Sequence, residues 1–166
     1  INPWHLILPQ EEKTVPFVTA GVLSKPKFLS HLGGALREPL GAAVDDRGYL
    51  YIADTGSNQV KVYNPDGHLI KIFGRLPDEN ITFNYPNAIA VDNQGLVYVG
   101  EFKQGRIQIF NLQANLTRSI DSDNTSLPLA PLALALDQEG LIYVANHTGE
   151  IYVLDQEGQL VIRFGE

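Results

Sequence analysis

Three stretches of this chain are copies of one unit, and the repeat constrains the fold more than any single residue does. The copies read Pro39-LGAAVDDRGYLYIAD, Pro86-NAIAVDNQGLVYVGE and Pro131-LALALDQEGLIYVAN. Their starts, Pro39, Pro86 and Pro131, lie 47 and 45 residues apart. Each period carries four short patterns of alternating apolar and polar residues separated by turn signals. A period of this length built from four strands predicts a propeller blade rather than a helical hairpin.

The first strand of each unit places small residues in register, at Gly41, Ala88 and Ala133 and again at Ala43, Ala90 and Ala135. Strands nearest a propeller axis converge, and small side chains permit that approach, so this strand is assigned the inner position. A tight turn follows, with Gly48, Gly95 and Gly140 aligned to supply a positive φ. Asp45, Asp92 and Asp137 close the first strand and read as turn caps. Tyr51, Tyr98 and Tyr143 share one position on the second strand and read as packing residues with hydroxyls near a polar edge. The third strand begins at Val60, Ile107 and Ile151, and the fourth at Leu69, Leu116 and Leu160. Asn64 to Gly67 and Asp155 to Gly158 have hairpin chemistry between them. The middle copy has Ala114 where the others have glycine, which predicts a relaxed or longer turn. The fourth strand is the least regular and carries Lys71, Arg118 and Arg163, as suits an outermost strand with a free edge.

The units resemble the NHL repeat. The resemblance rests on Pro39 to Asp45, Gly48 to Thr55, Val60 to Tyr63 and Phe73-Gly74, and extends over residues 27 to 165. Glu101-Phe102 and Asn146-His147 stand where the motif has Asp-Thr, and Asp121 stands where it ends in glycine. The resemblance implies an all-β fold, a propeller arc of four-stranded antiparallel blades. Residues 39–85, 86–130 and 131–166 form three clear blades, and residues 1–38 a partial or degenerate one. NHL domains typically close as six blades. This arc therefore implies either a piece of a larger ring, association between arcs, or a small four-bladed ring using the amino-terminal segment.

Composition narrows the function. The net charge is -7 and no basic stripe is present, so a nucleic-acid backbone is not an expected partner. No apolar run approaches the ~20 residues of a membrane span. Met is absent, even at position 1, which points to a processed product or part of a longer chain. Cys is absent too, which excludes disulfides and thiolate chemistry. Sequons at Asn80, Asn115, Asn124 and Asn146 fit an exported eukaryotic protein and say nothing in a bacterial one, so the compartment stays open. His5, His31, His68 and His147 fall at unrelated repeat positions and form no local metal motif, and no cofactor is expected. No nucleophile elbow, phosphate loop or dinucleotide fingerprint occurs.

The loops between second and third strands share a rim with the blade-to-blade connections. That rim carries the candidate site: Asp54, Arg75, Glu101, Lys103, Arg106, Asn146 and His147. Asp54, Glu101 and Asn146 are in register. They either hydrogen-bond amides of the turn that follows or contact a ligand. The charged residues either meet a protein partner or keep the surface soluble. The leading expectation is a noncatalytic protein-interaction scaffold. The alternatives are a propeller hydrolase or lyase with a metal in the central channel, and a module that pairs with another arc.

Overall fold

The computed structural model describes residues 32–74 and 82–165. Twelve strands form three antiparallel sheets among these residues, each a four-stranded meander. The first blade comprises β1 (Pro39–Val44), β2 (Leu50–Asp54), β3 (Gln59–Tyr63) and β4 (Leu69–Phe73). The second comprises β5 (Pro86–Val91), β6 (Val97–Glu101), β7 (Arg106–Phe110) and β8 (Leu116–Asp121). The third comprises β9 (Pro131–Leu136), β10 (Ile142–Asn146), β11 (Ile151–Leu154) and β12 (Leu160–Phe164). A one-turn helix, α1 (Ser122–Thr125), leaves β8, with the Asp121 carboxylate accepting from the Asp123 and Asn124 amides at 3.1 Å. The expected partial blade falls almost wholly on residues 1–31, outside the described residues.

The inner position of the first strand is visible in the packing: β1 lies against β5, and β5 against β9. Gly41 shows why the residues there are small. A Cβ at Gly41 would stand 2.8 Å from the Asn87 carbonyl oxygen of the next blade. The alternating faces then bury against one another, in two cores. Between the first two blades, Val60, Val62 and Tyr51 meet Val97, Val99 and Phe110. Phe73, Phe83 and Phe110 interlock there with ring centroids 5.2–5.9 Å apart, in the tilted and edge-on geometries aromatic pairs prefer. Between the second and third blades, Tyr98, Ile107 and Ile109 meet Ile142, Val144 and Tyr152.

The turn caps hold in all three blades. Asp45, Asp92 and Asp137 each accept through Oδ1 from the amides two and four residues on, at 2.8–3.0 Å. Their Oδ2 atoms accept from Tyr51, Tyr98 and Tyr143 at 3.2–3.3 Å, so the aligned tyrosines and aspartates are one unit. Burial, with Asp92 beside it, pushes the Tyr98 hydroxyl up to about 12.

Two expectations change. The turn at Ala114 is neither longer nor relaxed. The Ala114 amide donates to the Asn111 carbonyl at 2.9 Å, as Gly67 and Gly158 do to Asn64 and Asp155, and alanine takes φ 67 to keep the shape. The three outer-strand cations do not play one part. Lys71 donates to the Leu112 carbonyl at 2.8 Å and Arg118 to that of Gln156, each tying its blade to the next blade's outer hairpin. Their register partner in the third blade is Ile162, opposite Val153 as Lys71 is opposite Val62. Arg163 points to the other face and pairs with Glu150 at 3.4 Å.

Candidate functional site

Each blade is entered by a segment that crosses its own β2–β3 loop, or the equivalent, before the inner strand begins. The last residue of the second strand clasps that segment. Arg37 donates its amide to Asp54 at 2.5 Å, Asn84 to Glu101 at 2.6 Å, and Ala130 to Asn146 at 2.5 Å. The in-register residues therefore hold the amide of the chain entering the blade, 16 or 17 residues upstream, and not the turn that follows as expected.

The clasp has a second half. The carbonyl two residues before each held amide also needs a donor. Lys61 supplies it to Ala35, Arg106 to Thr82 at 3.1 Å, and Asn146 itself to Pro128 at 3.0 Å. Two blades thus divide the job between a carboxylate and a cation. The third does both with one carboxamide, which has an acceptor and a donor on the same side chain.

The charged clasps are buried ion pairs. Lys61 Nζ lies 2.6 Å from Asp54 Oδ2, with side chains 7% and 0% exposed. The approach is angled, an ion pair rather than an aligned hydrogen bond at that oxygen. Arg106 Nε lies 2.6 Å from Glu101 Oε1. Their electrostatics differ. Burial pushes the Asp54 carboxyl up, but Lys61 and the Arg37 amide together outweigh it and hold it below 3.8. For Glu101, burial wins over Arg106 and the Asn84 amide, and its carboxyl stands above 4.5.

Above the clasps, where the inner strands open, lies a cup of about 420 Å³ lined by Leu40, Tyr85, Asn87, Phe102, Leu132 and His147. Leu40, Asn87 and Leu132 occupy the same position of their inner strands, so the repeat itself sets them around the mouth. Phe102 and His147 follow Glu101 and Asn146, and their rings meet edge to face at 5.2 Å. Tyr85 closes the wall 6.2 Å from Phe102, with Lys103 Nζ 4.7 Å over its ring. Tyr85 has φ 61, a left-handed conformation that is uncommon for a bulky residue. Asn58 accepts its amide at 2.8 Å, and its carbonyl receives the Phe102 amide at 3.3 Å. Asn87 spends its amide on the scaffold, donating to Pro131 and Leu132 carbonyls and accepting from the Phe102 amide at 3.1 Å.

The seven expected residues divide accordingly. Asp54, Glu101 and Asn146 are buried clasp residues with their polar atoms committed inward, not surface contacts. Arg106 is half-buried and locked on Glu101 and Thr82. Lys103 and His147 are exposed at the cup. Arg75 lies outside the described residues. Tyr85, Phe102, Leu40 and Leu132 were missed. A signal for Phe102 was present, an aromatic ring where the repeat has Thr55.

No curated protein matches the chain significantly. Among solved structures it is similar to hydrazine synthase of Kuenenia stuttgartiensis, with TM-score 0.63 and 17% identity over 81% of this chain and 37% of that one. It is similar to virginiamycin B lyase from Staphylococcus aureus, with TM-score 0.58 and 19% identity over 77% and 41%. A protein of unknown function from Bacteroides caccae gives 0.60 and 16% over 75% and 48%. The chain spans less than half the length of each, and at these identities the likeness shows the fold alone. The NHL repeat family model matches residues 36–63 and 83–110, the inner three strands of the first two blades with the clasped segment before each. The chain carries NHL repeats, consistent with membership of the NHL-repeat family.

Proposed function

We propose that this arc is a noncatalytic protein-binding scaffold that meets its partner on the rim bearing the cup. The fold and its NHL repeats support a propeller-type interaction module. One observation carries the finer reading. The polar groups beneath the rim are spent on holding each entering segment to its blade, while the surface above them exposes rings and a lysine from separate loops. Loops on a rigid repeat are where recognition concentrates. The metal-dependent hydrolase or lyase finds less support: no group of three or more His, Asp or Glu stands together among the described residues.

A photo-crosslinking residue placed at Phe102, and at Gln94 on the opposite rim as control, tests the proposal in lysate of the source cell. A defined protein adduct at Phe102 and none at Gln94 is expected; equal labelling would refute the rim. Stoichiometric zinc or magnesium binding with accompanying turnover would favour the enzyme instead.

A second reading concerns the ends of the arc. Ile107 and Ile120, which face the third blade, are 0% and 1% exposed, but their register partners Ile151 and Phe164 are 42% and 50% exposed. This face has the pattern of one covered by a further blade, from a second copy or from the remainder of a longer chain. Solution mass separates the two: twice the chain mass supports pairing, and a strict monomer excludes it.

A further inference from the structure

We propose that the cup at the axial mouth receives a large apolar side chain flanked by acidic residues, carried on an exposed segment of the partner protein. The inference rests on the protein-binding reading above and gives that partner a chemistry.

The interior of the cup is mostly apolar. Its floor is Leu40 and Leu132, which are 57% and 49% exposed although they are large and aliphatic. The one carboxamide in the lining, Asn87, has its oxygen and both amide hydrogens committed to backbone groups. A ligand hydroxyl or amide set against Leu40, Leu132 and Asn87 would lose water and gain no partner there, which opposes binding. An aliphatic or aromatic side chain would instead cover Leu40 and Leu132 and meet the Phe102, His147 and Tyr85 rings. A volume of about 420 Å³ lies in the range of pockets that take a ligand group of that size.

The lip selects charge. Lys103 stands over Tyr85, and no carboxylate among the described residues lies within ion-pair distance of it. Arg106 is close in sequence but already neutralised by Glu101. At short range this lysine favours acidic groups beside the bound side chain, against a net charge of -7 that attracts basic partners at long range. Tyr85 is fixed at the lip by two hydrogen bonds from neighbouring loops; its left-handed φ is shared by Glu38 at the same position before the first blade and belongs to the segment that enters a blade.

The test is fluorescence anisotropy with three labelled peptides on the full 166-residue chain. The first is Gly-Ser-Asp-Glu-Phe-Asp-Glu-Ser-Gly, the second has Ala for Phe, and the third has Lys for each acid. The first should bind saturably, and each change should weaken it by about tenfold or more, as loss of a buried anchor does. Phe102→Ala should weaken the first peptide about tenfold. Lys103→Glu, at an exposed position that leaves folding intact, should weaken the first and strengthen the third. Circular dichroism of both variants checks the fold. Equal affinity for all three peptides, no binding of the first, or indifference to Lys103→Glu would each overturn the proposal. If the Phe102 crosslink still captures a protein in that case, the scaffold reading stands and only the cup's chemistry falls.

Discussion

Replacing Lys61 with methionine and then adding Asp54→Asn tests whether the three clasps are interchangeable. Lys61→Met leaves the fully buried Asp54 carboxylate with the Arg37 amide and without its cation, and leaves the Ala35 carbonyl without its donor. Removing one partner of a buried pair costs about 3–5 kcal/mol, and an unmet carbonyl adds to it. The clasp lies just beneath the rim, where solvent screening trims the sum, so about 3 kcal/mol is expected. Asp54→Asn in the same chain copies the third blade, where Asn146 accepts from one amide and donates to the carbonyl two residues before it. With charge gone from both positions, the double variant should return to within about 1 kcal/mol of the parent. The second substitution thus restores about 2 kcal/mol of what the first removes. In urea, at a slope of about 2 kcal/mol per molar, the single variant's midpoint falls by about 1.5 M and the double's by less than about 0.5 M. A double variant no more stable than Lys61→Met would refute the equivalence of the clasps.

Other consequences can be measured the same way. Asp54 and Glu101 respond oppositely to pH. The folded Asp54 value is depressed, so its contribution is present above 3.8 and is lost as pH falls through the folded value. The folded Glu101 value is raised, so its contribution declines as pH rises from 4.5 through the folded value; Glu101→Gln should remove that decline, and an unchanged slope of stability against pH would count against it. Ala114→Gly should stabilise by about 1 kcal/mol in thermal or urea melts, since glycine takes φ 67 without the Cβ conflict alanine bears. Gly74→Ala should cost about 3 kcal/mol and disturb the near-ultraviolet aromatic signal, because its Cβ would stand 2.0 Å from the Phe83 ring at φ +91.

Much of the fold was legible because short-range chemistry repeats. Gly48, Gly95 and Gly140 fix turns, the aspartates before them cap, and alternation assigns each strand a face. Legibility failed where a residue's partner is distant in sequence. Asp54 could be recognised as a hydrogen-bonding position, but its partner, Arg37, comes from the segment that enters the blade. Lys71 and Arg118 looked like solvent-facing charges on an edge strand until the next blade placed carbonyls within their reach. Ala114 misled because a turn held at both ends by strand pairing can impose a left-handed φ on a residue that would not choose it.

The sequence by itself determined the blade, since three in-register copies of turn, alternation and small inner residues leave no other arrangement for their apolar faces. Only tertiary structure decided the cup and the clasps. Leu40 and Leu132 share one repeat position and Phe102 and His147 another, but they stand in different blades, and they meet with Tyr85 because inner strands from successive repeats converge on one axis. Convergence of that kind is a property of how the blades stack, which local chemistry along the chain does not encode.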